Sequence, residues 1–159
     1  MINTILSDFS FVILFPRSKT YTGTLNGLHT KLTKQHDTYN FFDYYELNQK
    51  LLDFYKKLGS KYSINIFTTG FVQNNPAVME IIKPIFDNIC SCADYGIDKR
   101  NPEAFKFIAE KLGKKADEIL FIDDMEKNIE AAKKAGLATI HYKNFAQVQK
   151  EIKKLLSMI

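Results

Sequence analysis

The chain is short of the residues that mark several classes of protein. Its 159 residues include only two cysteines, four prolines and seven glycines. So little glycine and proline excludes a collagen-like repeat or a long flexible linker. Cys90 and Cys92 are too few for a disulfide framework, and no further Cys or His pair stands at zinc-binding spacing. Placed in a strand with their side chains directed apart, they would also make a poor disulfide, so a reduced, intracellular setting is expected. No apolar run approaches the ~18 residues of a membrane span. The first apolar run is broken by Asp8 and lacks a basic flank, so no secretory leader is expected. A soluble, cytoplasmic protein with no membrane partner is the expectation. No arginine-rich face with interleaved aromatics occurs either, which makes nucleic acid an unexpected partner. The net charge of +4, from 22 basic and 18 acidic residues, comes instead from scattered lysine pairs. Lys56-Lys57, Lys114-Lys115, Lys133-Lys134 and Lys153-Lys154 fall at predicted helix ends, where cations complement the macrodipole.

What is present is the balance of an ordinary globular domain: 45% hydrophobic and 25% charged residues, enough to bury a core. One domain over residues 1–159 is expected. Ile2 to Ser7 reads as a strand that stops at Asp8, and Phe11 to Phe15 as a second apolar run closed by Pro16. Arg17 to Asn40 is polar and weakly periodic, and predicts a loop or small hairpin. Leu47, Leu51, Phe54 and Leu58 recur at helical spacing, with Asp43 and Glu46 as the opening cap and Gly59 as the exit. Ser63 to Phe67 is a strand leading into Thr68-Thr69-Gly70. Asn75-Pro76 and Asn101-Pro102 each open a helix. Ile89 to Cys92, Glu118 to Ile122 and Leu137 to His141 are further strands. Helices around Ile129 and Ala132, and from Phe145 through Leu155, complete the pattern. Strict alternation of strand and helix predicts a mostly parallel sheet with helices on both faces.

In such a sheet, ligands bind beyond the carboxyl ends of the strands. Those ends carry Asp8, Thr68, and Asp123 with Asp124, while Lys99 lies in the loop after the third strand. Converging carboxylates repel unless a hard cation sits between them, and Mg²⁺ with oxygen ligands fits. The added lysine and threonine point to an anionic ligand, most simply a phosphate. Taken singly, the aspartates would be helix caps, Thr68 a turn residue and Lys99 a surface charge. Their convergence is what favours a site.

The residues also carry a family likeness. Ile5-Leu6-Ser7-Asp8-Phe9-Ser10-Phe11-Val12 resembles the first motif of the haloacid dehalogenase (HAD) superfamily, an apolar strand followed by Asp-x-Asp. Ile64-Asn65-Ile66-Phe67-Thr68 resembles the second. Asp98 to Phe105 is similar to the lysine segment, and Ile119 to Ile129, with Ala131 to Gly136, to the fourth motif and its helix. All four stand in the superfamily's order. The resemblance implies a three-layer, Rossmann-like α/β fold (HAD-like) with little or no cap. It further implies a Mg²⁺-dependent phosphohydrolase acting on phosphomonoesters or acyl phosphates. Asp8 would be the nucleophile that forms an aspartyl-phosphate. Asp8, the Ser10 carbonyl and Asp124 would hold the metal with Asp123 beside them, and Asn128 would orient a bound water. Thr68 and the Thr69 N–H would hold phosphoryl oxygens, and Lys99 would neutralise charge between nucleophile and phosphate.

Two departures qualify that pattern. Ser10 replaces the second aspartate, the group that protonates the leaving group, and its loss slows such reactions by roughly 10²–10⁴. Phe11 replaces a small residue at the mouth of the site. A slow phosphatase is the leading expectation; a catalytically impaired binding or regulatory protein is the main alternative. Dehalogenase or phosphonate chemistry is weaker, since the intact acidic pair argues against a metal-free dehalogenase. Between Asp8 and Thr68, residues 16–42 supply only a flap or reduced cap, and an open site suits a phosphorylated substrate, up to macromolecular size. His29 and His36 lie in that flap, and His141 is expected to be packed or exposed. The aromatic run Tyr39, Phe41, Phe42, Tyr44 and Tyr45 is expected to pack beneath the flap. The acidic pair is also similar to that of a response-regulator receiver, but too little chain follows Asp124 for that layout.

Overall fold

A computed structural model describes residues 1–157. In chain order the strands are β1 (Thr4–Ser7), β2 (Leu14–Pro16), β3 (Tyr45–Leu47), β4 (Ser63–Thr68), β5 (Asn88–Ser91), β6 (Ile119–Asp123) and β7 (Ala138–His141). The helices are α1 (Leu25–Gln35), α2 (Phe41–Tyr44), α3 (Gln49–Leu58), α4 (Pro76–Ile82), α5 (Cys92–Tyr95), α6 (Pro102–Lys111), α7 (Glu126–Lys134) and α8 (Phe145–Leu155). Five strands form one parallel sheet in the order β5-β4-β1-β6-β7, and β2 pairs antiparallel with β3 outside it. Central β1 sets the register, with Leu6 opposite Asn65 of β4 and Phe121 of β6.

Strand alternation divides the interior into two cores. Ile5, Ile64, Ile66, Leu120 and Ile122 face one side, where they meet Leu51 of α3, Val78 of α4 and Val148 of α8. Leu6, Phe67 and Phe121 face the other, against Phe105 and Ile108 of α6 and Ile129 and Ala132 of α7. Both faces being covered, the strands read as nearly continuous apolar runs. This is the sheet with helices on both faces that the alternation predicts, and the three-layer, Rossmann-like α/β fold that the resemblance implies.

Helix starts follow the capping rule closely. The side chains of Asn75 and Asn101 accept from Ala77 N and Glu103 N ahead of a proline in the first turn. The lysine pairs of α3, α7 and α8 close their last turns, as expected.

Four local expectations are corrected. Arg17 to Asn40 is not a loop, because it contains α1, capped by Thr24 accepting from Gly27 N. Gly27, Thr30 and Thr33 are weak helix formers that mask the helix, but Leu25 and Leu32 are buried and hold it down. Asp43 and Glu46 do not open α3. Leu47 is still in β3, paired with Leu14, so the helix begins two residues later, at Gln49, and Asn48 caps it. Glu46 instead meets Lys19 at 2.8 Å and Arg17 at 3.6 Å on the surface. The run from Phe11 to Phe15 is a strand only from Leu14, because the Phe9 carbonyl accepts from both Ile13 N and Leu14 N in a tight turn. Finally, Cys90 and Cys92 are free thiols in the same core. Residues two apart in a strand share a face, and Cys92 already begins α5, so the expected opposition of their side chains does not hold.

Candidate functional site

The sheet brings the end of each central strand to one edge. Asp8 follows β1 and extends its pairing with β6 by one residue, Asp8 N donating to Ile122 O at 2.8 Å. That bond sets Asp8 beside Asp123, the last residue of β6. Lys99, in the loop between α5 and α6, reaches in beneath them and is only 3% exposed. Its Nζ lies 2.8 Å from Asp8 Oδ1 and 2.8 Å from Asp123 Oδ2, and donates to the Phe67 carbonyl at 2.9 Å. Three ammonium protons therefore meet three acceptors.

Asp123 is engaged through both carboxylate oxygens from the protein side. Its Oδ1 accepts from Met125 N at 2.7 Å, and its Oδ2 accepts from Asn128 Nδ2 at 3.0 Å as well as facing Lys99. Asp124 projects from the next position, half-buried, and its carbonyl is within 2.8 Å of His141 Nε2. Carboxylate oxygens of Asp8, Asp123 and Asp124 all lie within 4.8 Å of one another. Burial pushes the Asp8 carboxyl up, Lys99 pulls it down and Asp123 pushes it up again, leaving it at about 7. Burial and then the Asp123 charge push Asp124 up to about 6. Burial opposes the charge on Lys99, yet Asp8 and Asp123 together hold it above the usual lysine range. With all three carboxylates ionised, one ammonium leaves two negative charges unbalanced, a charge that a divalent cation with oxygen ligands would match.

Above this cluster lies a cavity of about 390 Å³. Asp8, Ser10, Thr68, Thr69, Asp124 and Asn128 line it, so the sequence-predicted residues other than buried Lys99 and Asp123 converge on one space. The Ser10 hydroxyl is buried and has no hydrogen-bond partner among the described residues. Phe11, also on the wall, has φ of 60°, a left-handed conformation that a bulky residue rarely adopts. The turn enforces it: Phe11 N donates to Leu14 O at 2.8 Å, and its neighbours Phe9, Val12 and Ile13 are fully buried.

Sequence reasoning missed the contribution of α1. Thr24, Leu25 and Asn26 at its start complete the cavity wall, and Gly70 and Met125 join them. The recoverable signal was Thr24 as a cap ahead of Leu25, Leu28 and Leu32 at helical spacing. His141 was expected to be packed or exposed. It is half-buried, and its place opposite Asp123 in the β6–β7 register packs it against the Asp124 carbonyl. His29 pairs with the Tyr39 hydroxyl, and His36 closes α1; neither lines the cavity. Phe41 and Tyr45 are buried and stacked at 4.3 Å, and the Tyr45 hydroxyl donates to the Leu25 carbonyl at 3.0 Å, so this part of the aromatic run packs beneath α1.

The carboxyl edge of the parallel sheet thus gathers three aspartates and a buried lysine. The haloacid dehalogenase-like hydrolase profile matches residues 16–136, and the chain belongs to that family. The matched residues begin after Asp8 and Ser10. Among curated proteins, bifunctional epoxide hydrolase 2 of Rattus norvegicus is 28% identical over 100 residues, covering 56% of this chain and 18% of the rat protein. Glyceraldehyde 3-phosphate phosphatase of Methanocaldococcus jannaschii is 33% identical over 60 residues, 37% of this chain and 26% of that protein. The chain thus matches about a quarter or less of either relative's length. A HAD family enzyme from Bacteroides thetaiotaomicron, solved with magnesium and inorganic phosphate, superposes with a TM-score of 0.65 at 15% identity. That match covers 93% of this chain and 99% of the other, and shows the shared fold. No helix among the described residues is long and apolar enough to cross a membrane.

Proposed function

We propose that the chain is a Mg²⁺-dependent phosphohydrolase that transfers a phosphoryl group to Asp8. The observation that carries this is the cluster of Asp8, Asp123 and Asp124 around Lys99, with two negative charges left over beneath a cavity. Asp8 and Asp124, with the Ser10 carbonyl, would hold the metal. Asp123, already met by Lys99, Asn128 and Met125 N, would hold Lys99 in place beside them. Bound there, Mg²⁺ would keep the carboxylates ionised and offset the charge of a phosphate dianion.

The residues then divide the work. An Asp8 carboxylate oxygen forms the new bond to phosphorus while the bond to the leaving oxygen breaks with its electron pair. Lys99, fixed against Asp8, stabilises the charge that builds between them. Thr68 and the Thr69 N–H hold the phosphoryl oxygens as they pass through the plane. Ser10 has no proton to give at neutral pH, so the leaving oxygen takes its proton from solvent. Water then attacks the phosphorus of the aspartyl-phosphate and regenerates Asp8. The phosphatase relative is consistent with such chemistry, and acyl phosphates, whose leaving groups need no protonation, suit a site without the acid.

A second reading rests on the same serine. With its hydroxyl buried and unpaired, position 10 has no acid or base, and the site would bind phosphate without turning it over. Hydrolysis of acetyl phosphate and para-nitrophenyl phosphate in Mg²⁺ and in EDTA separates the two. Mg²⁺-dependent turnover, raised by Ser10→Asp on the aryl ester, is expected for the enzyme. Phosphate binding with no turnover in wild type or Ser10→Asp would favour the binding protein.

A further inference from the structure

Asn26, the second residue of α1, sits on the cavity wall. Its Oδ1 accepts two backbone hydrogen bonds from the loop after β4, from Phe71 N at 2.8 Å and Val72 N at 2.9 Å. This fixes which way the amide faces: reversed, its NH₂ group would meet two N–H donors head on. Nδ2 is therefore held on the opposite side of the group, and it donates to no acceptor among the described residues.

Gly70 explains how the amide can lie there. A Cβ at this position would collide with Nδ2, Cγ and Oδ1 of Asn26. Gly70 has no positive φ, so the bare backbone is needed for this approach and not for a turn. The Gly70 carbonyl is turned inward, where Gln73 Nε2 and Ser91 Oγ donate to it. The Gly70 N–H finds no acceptor among the described residues. Asn26 and Gly70, each with a donor that has no partner among the described residues, line the same cavity as Asp8 and Thr68.

Resting on the phosphohydrolase reading, we propose that Asn26 is a substrate-contact residue. Its Nδ2 donates, beside the Gly70 N–H, to a phosphoryl oxygen of the bound substrate. The flap would then form part of the phosphate site as well as covering it, and α1 would be tied to the phosphate loop through one amide.

The test compares three variants by calorimetric titration of inorganic phosphate in Mg²⁺, by KM and kcat on para-nitrophenyl phosphate, and by Tm. Asn26→Asp keeps the acceptor for Phe71 and Val72 but loses the donor. It is expected to hold Tm and to weaken phosphate binding and raise KM by about 10- to 100-fold. Asn26→Ala loses both and is expected to lower Tm by about 5 °C as well. Gly70→Ala displaces the amide without adding charge, so its expected loss of phosphate affinity cannot come from repulsion. Combined with Asn26→Ala it should cost less than the two losses added. Wild-type affinity and KM in Asn26→Asp and Gly70→Ala would overturn the contact and leave Asn26 a loop brace. Wild type that neither binds phosphate nor turns over would overturn the phosphohydrolase reading itself, and this inference with it.

Discussion

Lys99 is the residue on which the cluster's charge balance turns, because it is the one ammonium among three carboxylates. Lys99→Met keeps much of the stem volume but leaves Asp8 and Asp123 buried without their partner. Removing one member of a buried ion pair typically costs about 3–5 kcal/mol. Lys99→Met is therefore expected to lower the denaturation midpoint sharply in EDTA, with Mg²⁺ restoring part of the loss, as urea titrations would read. Phe11 offers a second test at this scale. A left-handed backbone costs about 1–2 kcal/mol in any L-residue, so Phe11→Gly is expected to be more stable than Phe11→Ala by about 1 kcal/mol. Equal midpoints for those two variants would show that the turn stores no strain. Much of the site was legible at this scale, because Asp8, Thr68 and Asp123 each end an apolar run on the same edge. Asn26 and His141 were not. Their roles depend on which loop each one meets, Phe71–Val72 for the first and the Asp124 carbonyl for the second, and no local pattern records that.

At the scale of elements, the helices behind the sheet were legible because their caps and apolar stripes agree, as at Asn75-Pro76 and Asn101-Pro102. The segment from Phe11 to Leu47 was read less well. Its strands are three residues each, its first helix has two buried positions, and a turn with positive φ breaks the apolar run. Tertiary contacts hold such elements more than propensity does. Asn48 shows how. Its Oδ1 caps α3 by accepting from Leu51 N, and its Nδ2 donates to the Val12 carbonyl and, at 2.9 Å, to the Tyr142 hydroxyl. One side chain thus ties the β1–β2 turn, α3 and the end of β7. Asn48→Ala is expected to cost about 2 kcal/mol, more than a cap alone, and to speed amide exchange in the turn as well as in α3. A loss confined to the first turn of α3 would reduce Asn48 to a cap.

For the whole molecule, the carboxylate cluster couples stability to pH and metal. Without metal, burial raises Asp8 to about 7 and Asp124 to about 6, from an unfolded value of 3.8 for each. The folded chain therefore binds these protons more tightly than the unfolded one. The stability they contribute is fully present below about pH 3.8 and is lost as pH rises from there through about 6 to 7. In EDTA, Tm is expected to fall across that window, and saturating Mg²⁺ to raise Tm more above pH 7 than near pH 4, about the lower edge of the window. A Mg²⁺ effect independent of pH would mean that the ion binds elsewhere. The most direct measurement is Mg²⁺-dependent hydrolysis of acetyl phosphate and para-nitrophenyl phosphate by wild type beside Asp8→Asn. Turnover in Mg²⁺ that is abolished by EDTA and by Asp8→Asn is the predicted result. Turnover that survives in Asp8→Asn would contradict a nucleophile at Asp8.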